Sequence, residues 1–172
     1  MKIRVDDLVL RPWAEEDVPA LVELCNDAEI ARWISAMPSP YTEDDARAFV
    51  RGEVLPEVDH LAIELGDVVV GAIGLAISEA NRRGIIGYWI GAPARGHGVC
   101  TRALVLLCGW AFAELELGRL ELVTDPDNLA SQRVAEKAGF RREGVLRSYL
   151  VDRDGRLRDA VMFSLLPADL VE

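Results

Sequence analysis

The chain has 172 residues, of which 51% are hydrophobic, enough for one apolar core at about the length of one domain. That excludes an intrinsically disordered chain. Its 29 Asp and Glu against 19 Lys and Arg leave a net charge of −10. No nucleic-acid partner is expected, because phosphate binding needs a basic face. The acidic surface fits a small soluble protein, or one that attracts cationic amines.

Three cysteines, Cys25, Cys100 and Cys108, cannot all pair within one chain. With His60 and His97 the only histidines, no cluster has zinc spacing and no metal is expected. Unpaired thiols point to a reducing, cytoplasmic compartment. The opening Met1 to Asp7 is charged too early for a secretory signal. The longest apolar stretch, Ala103 to Ala113, is short of the ~20 residues of a membrane span, so no membrane partner is expected.

Along the chain, Leu8 to Pro12 reads as a first strand ended by proline. Val18, Leu21, Val22 and Cys25 recur at helical spacing, and Ile30, Trp33 and Ile34 continue in a second short helix. Beyond Pro38-Ser39-Pro40, Thr42 stands three residues before Asp45 and caps a helix from Glu43 to about Gly52. The period then changes. His60–Leu65 and Val68–Ile77 are β-rich runs joined by the hairpin signal Gly66-Asp67, and Ile85–Ile90 follows as the third strand of a meander. Gly98 to Leu117 reads as a long, largely covered helix with Gly118 as its stop. Leu120–Thr124 is a strand, Asn128–Ala138 a helix ended by Gly139, and Phe140–Leu150 and Leu157–Leu166 are final strands around an Asp152–Gly155 turn. The order predicts an α+β fold, a mixed and mostly antiparallel sheet with one βαβ crossover.

The strongest chemical signal is Arg95-Gly96-His97-Gly98-Val99-Cys100-Thr101, between a strand and the long helix. Glycines let backbone approach a ligand, and a helix start offers unpaired N–H groups to an anion. An ordinary strand-to-helix turn would look the same. No GxxxxGK[ST] is present, and Thr101 or Arg102 stands where a dinucleotide fingerprint would have its last glycine, so neither a nucleoside triphosphate nor a nicotinamide fits.

This turn resembles the (Gln/Arg)xxGx(Gly/Ala) segment of the GNAT N-acetyltransferases. Gly87-Tyr88-Trp89-Ile90-Gly91-Ala92-Pro93 resembles the GYW strand of their RimJ/RimL-type branch, which acetylates ribosomal-protein N-termini. Asn128 and Ser131, followed by Glu136-Lys137-Ala138-Gly139-Phe140 and Glu143-Gly144, are similar to that branch's N-x-x-S…EK-x-GF…EG segment. Leu8-Val9-Leu10-Arg11-Pro12 with Asp17 matches its opening. In order and spacing these motifs run from about residue 8 to 166.

The resemblance implies one N-acetyltransferase domain over residues 1–172, helices on both sheet faces, and a central strand pair that splays to admit the pantetheine arm of acetyl-coenzyme A. Ile90, Gly91 and Ala92 would line that arm; Arg95, Gly96, His97, Gly98, Val99, Cys100 and Thr101 would hold the pyrophosphate. Asn128 would bond the arm near its reactive end, or simply cap its helix. The implied reaction is direct attack of an amine on the thioester, with Ser131 as acid and Glu79 as base, Asp125 its rival. Glu143 matches a family position or anchors its turn. Cys100 puts a thiol near the phosphates, either as a tolerated small side chain or as a redox-sensitive one. His97 stands where Lys or Arg is common, with Arg102 able to compensate; His60 reads as structural. Trp33 and Tyr41 are candidate liners of an acceptor wall around Pro38-Ser39-Pro40. The acceptor would be a peptide N-terminus or a small cationic amine, the protein a monomer or homodimer. The alternative is an acyl-coenzyme A binding module without turnover.

Overall fold

The computed structural model describes residues 1–170. Its strands are β1 (Ile3–Val5), β2 (Leu8–Pro12), β3 (Val58–Leu65), β4 (Val68–Ser78), β5 (Arg83–Ile90), β6 (Arg119–Thr124), β7 (Arg141–Val151) and β8 (Leu157–Leu165). The helices are α1 (Val18–Cys25), α2 (Ala28–Trp33), α3 (Glu43–Val50), α4 (Val99–Glu114) and α5 (Leu129–Lys137). One sheet in the order β1-β2-β3-β4-β5-β6-β8-β7 runs through the described residues. Its one parallel neighbour pair is β5–β6, joined by α4, as the crossover reading requires.

Local chemistry sets most boundaries. Thr42 and Asp45 cap α3 reciprocally, each side chain accepting the other's backbone N–H. Gly66, at φ +62, makes the two-residue turn that registers Leu65 against Val68. Gly139, at φ +90, stops α5. Two expectations fail. The opening residues form β1, because Asp6 adopts φ +52 and turns Ile3–Val5 back onto Leu8–Leu10. The long helix ends at Glu114, with the left-handed turn on Glu116 rather than Gly118. Leu117 is 5% exposed, so the apolar pattern continues past the helix into the core.

Alternation along the strands gives the sheet two different faces. Leu8, Leu10, Leu61, Ile63, Ile73, Leu75, Ile86 and Ile90 pack with Leu104, Leu107 and Cys108 of α4 in the main core. The opposite face belongs to a smaller cluster of Val18, Leu21, Cys25, Tyr41 and Ala46, with Trp13, Phe49 and Trp89 against it. Arg11 ties that side together: its guanidinium bonds both carboxylate oxygens of buried Asp17 at 2.7 and 2.9 Å and Glu64 at 2.6 Å.

Candidate active site

β5 and β6 are registered over three pairs, Arg83–Arg119, Gly84–Leu120 and Ile85–Glu121. Beyond them the strands part, and Ile86–Ile90 has no strand partner on its β6 side. The sheet thus opens a slot whose two edges are backbone. At the open end the chain passes through a 3-10 turn (Ala92–Ala94) into the glycine turn. Gly96 and Gly98 sit at φ +80 and +75, and a Cβ on either would meet nothing within 4 Å. Gly98 begins α4 without a side-chain cap, and the first helical bond is Arg102 N–H to Gly98 C=O. Val99, Cys100 and Thr101 therefore have N–H groups without helical acceptors at the positive end of a 16-residue helix, where all three line a cavity.

Two cavities meet at the slot. One, of about 420 Å³, runs past Ile90, Arg95, Gly96, Gly98, Val99, Cys100 and Thr101 to α5. The other, of about 610 Å³, lies on the sheet face opposite α4, between β3–β5 and the α2–α3 region. Trp33, Ile34, Tyr88, Trp89, Asn128 and Ser131 line both. At this junction the Tyr88 hydroxyl lies 3.1 Å from both the Ser131 carbonyl oxygen and the Ser131 Oγ. A carbonyl only accepts, so when the phenol donates to it, the Ser131 hydroxyl donates to the phenol oxygen. Burial pushes the Tyr88 pKa above its ordinary value, opposed by the Ser131 hydrogen bond, so the phenol is neutral. Asn128 Oδ1 accepts from Ser131 N–H at 3.1 Å, fixing the turn that carries the serine. The sequence offered Tyr88 only as part of a strand motif; its reach to α5 is a tertiary fact.

The candidate carboxylates separate. Asp125, at the end of β6, lines the larger cavity and pairs with Arg158 at 3.1 Å. Glu79 is exposed in a 3-10 turn at the closed end of the β5–β6 pair and lines neither cavity. Glu143 is anchored by Arg119 at 2.6 and 2.8 Å and by the Ser164 hydroxyl at 2.7 Å; the Arg119 bonds hold its pKa down to about 2. It has the contacts of a structural anchor.

The other residues singled out in the sequence divide similarly. Arg95 lines the smaller cavity but donates to the Ile90 carbonyl at 3.0 Å and pairs with Asp27 at 3.0 Å. Gly91 N–H bonds Val70 C=O at 2.8 Å, and neither Gly91 nor Ala92 lines a cavity. His97 is exposed and outside both, and Arg102 is paired with Asp7. Cys100 lines the smaller cavity with its thiol pKa pushed by burial up to about 12. His60 sits in the wall of the larger one, its pKa lowered by burial, with Trp33, Pro38 and Tyr41 among the other liners. Arg133 and Lys137, one turn apart on α5, line the smaller cavity and have no acidic partner among the described residues. Sequence reasoning missed them, although their four-residue spacing puts them on one helix face.

The chain as a whole is similar to known proteins. The acetyltransferase (GNAT) domain family matches residues 7–141. An uncharacterized N-acetyltransferase of Bacillus licheniformis, p20, is 30% identical over 92% of this chain and 92% of its own. The ribosomal-protein-serine acetyltransferase of Escherichia coli is 29% identical over 83% of each chain. The structure of Mycobacterium smegmatis RimJ with a coenzyme A disulfide superposes with a TM-score of 0.86 at 26% identity, covering 100% of this chain and 88% of that one. The chain belongs to the GNAT family and is an acyl-coenzyme A-dependent N-acetyltransferase.

Proposed function

We propose that the smaller cavity holds acetyl-coenzyme A and the larger one the acceptor, a peptide N-terminus or a small amine. The observation that carries this is the shared boundary at Tyr88, Asn128 and Ser131, the place where the two substrates would touch. The fit to the coenzyme rests on chemistry present in the chain. Open N–H groups at Val99–Thr101 suit pyrophosphate, Arg133 and Lys137, without an acidic partner among the described residues, suit further phosphate, and the backbone-edged slot suits an amide-bearing arm. No cluster of metal-ligating side chains occurs among the described residues.

Acetyl-coenzyme A supplies an acetyl thioester, whose carbonyl carbon gains a bond to the amine nitrogen as the C–S bond breaks and sulfur keeps the bonding electrons. The residues of the chain then have separable tasks. The walls position the nitrogen, which is where most of the acceleration in a direct transfer lies. Apolar surroundings favour the neutral, nucleophilic amine, because desolvation penalises the ammonium. We assign the proton that the nitrogen gives up to Asp125 in preference to Glu79, because Asp125 lines the larger cavity and Glu79 lines neither. Ser131, oriented by Asn128 and Tyr88, donates a hydrogen bond or proton to the departing sulfur. The three free cysteines favour a cytoplasmic setting.

Calorimetry with acetyl-coenzyme A tests the first assignment. Wild type binds at micromolar affinity and Gly98→Trp, folded by circular dichroism, does not. Equal binding by the two would remove the coenzyme from this turn. Thiol release with an amine panel tests turnover, and coenzyme binding without release would leave a binding module.

A further inference from the structure

The larger cavity carries information about its occupant. On the sheet face turned away from α4, β4 and β5 place small residues in register: Gly74 opposite Gly87, with Ala72 and Ala76 two positions to either side on β4. A Cβ on Gly87 would meet nothing within 4 Å, whereas one on Gly74 would lie 3.1 Å from the His60 ring and 2.8 Å from Val58. The missing side chains form a trough, closed at β3 and open toward the β5–β6 slot.

Aromatic and aliphatic groups complete the enclosure, with Trp33, Ile34 and Met37 contributed by α2 and the segment after it. That segment is held down from across the slot. Arg153, at the tip of the β7–β8 hairpin, donates to the carbonyls of Ala31 at 3.0 Å, Ile34 at 3.2 Å and Met37 at 2.7 Å. A guanidinium given over to three main-chain oxygens at a helix end is a latch.

The charge inventory is as informative. Among the described acidic residues, only Asp45 and Asp125 line this cavity. Asp45 is engaged by the Thr42 N–H and hydroxyl at 2.8 and 2.6 Å. Asp125 is paired with Arg158. A polyamine needs several free carboxylates along its length, and a polypeptide needs polar partners for its backbone. The cavity supplies no row of free carboxylates, and its polar groups (Thr124, Asn128 and Ser131 among them) gather toward the slot while the Gly74–Gly87 end is walled mainly by apolar groups, so the −10 charge lies mainly outside the acceptor site.

Resting on the acetyltransferase reading of the site, the geometry points to a small primary amine on an aromatic or branched apolar body as the acceptor. Its body fills the Gly74–Gly87 trough beneath the Arg153 latch, and its nitrogen faces Asp125 at the junction. The cavity's volume, about 610 Å³, is of small-molecule size.

Thiol release is measured with 2-phenylethylamine, spermidine and a pentapeptide with a free N-terminus, alongside calorimetric binding of acetyl-coenzyme A. The expected kcat/KM for 2-phenylethylamine exceeds the other two by about tenfold or more. Arg153→Ala raises its KM about tenfold without changing coenzyme affinity, and Gly87→Val abolishes its turnover while binding persists. Spermidine or the peptide as the best substrate would overturn the assignment, as would an unchanged KM in Arg153→Ala. Binding without release for all three amines would instead sink the transferase reading beneath it.

Discussion

Tyr88 and Ser131 reach one another across the gap in the sheet, the phenol oxygen 3.1 Å from both the serine carbonyl and its hydroxyl. Tyr88 rides on β5 and Ser131 on the first turn of α5, beyond β6, so the contact spans the slot assigned to the coenzyme. Tyr88→Phe keeps the ring and removes both bonds. The expected result is a loss of kcat with coenzyme affinity held within about twofold, and a stability loss of about 1 kcal/mol in urea unfolding. Unchanged kcat would remove the pair from the chemistry and leave it a structural tie.

Asp125 and Glu79 make opposite predictions for the same substitution. Asp125→Asn lowers kcat/KM by about a hundredfold if it takes the proton from the amine, whereas Glu79→Gln stays near wild type. Asp125→Asn also releases Arg158, so Arg158→Met is the control. A comparable fall in that variant assigns the effect to the ion pair rather than to the base.

Arg11 stands between Asp17 and Glu64, and the Asp17 side chain is only 8% exposed. Arg11→Ala leaves that carboxylate buried against a single remaining bond from Ala14 N–H, and the expected loss is about 3 kcal/mol in chemical denaturation. Asp17 titrates below its ordinary value despite desolvation, because the Arg11 and Ala14 bonds outweigh burial. Its contribution is therefore complete above the ordinary carboxylate pKa and fades as pH falls below it. The urea midpoint of Arg11→Ala should depend less on pH between 5 and 3 than that of wild type, values taken as roughly the carboxylate range.

Glu143 gives a second acid-sensitive tie. Its pKa, lowered from 4.5 to about 2, means that stability is present above 4.5 and lost as pH falls toward 2. The side chain is 43% exposed, so solvent damps the effect. Glu143→Gln should reduce stability at pH 7 modestly, flatten the acid limb of the unfolding curve and leave turnover unaltered.

Burial pushes the Cys25 and Cys100 thiols up to about 12, so neither is a thiolate at neutral pH. A disulfide-exchange reagent at about pH 8 should label neither until denaturant is added, and mild oxidant should leave coenzyme binding intact. Rapid labelling of Cys100 in the folded protein would restore a redox role.

What could be read without coordinates was whatever depends on neighbours in sequence. The Thr42–Asp45 cap, the Gly66-Asp67 turn and the Gly139 stop all close bonds or turns within a few residues, and all three form as expected. The errors fall where distant partners decide. Leu115–Leu117 continued the helical pattern because Leu117 is a core residue, and the backbone around Gly118 answers instead to Arg82, whose carbonyl accepts the Gly118 N–H at 2.8 Å. Glu79 precedes the Tyr88 strand in sequence, but β5 runs eight residues from its closed end to its open one. The Tyr88–Ser131 contact joins residues 43 apart, and no spacing rule connects them.

The three-pair join of β5 to β6 also has a mechanical meaning. Edge to edge, β1–β5 and β6–β8–β7 are two plates riveted at one corner, and Arg153 is a clasp at another. A molecule that wedges between the plates and bonds both becomes part of the frame, so filling the slot should slow amide exchange along Ile86–Ile90 and Leu122–Thr124 together. The enzyme would then be stiffest when it is loaded and loosest as product leaves, with the timing of release written into the three-pair ladder at the middle of its sheet.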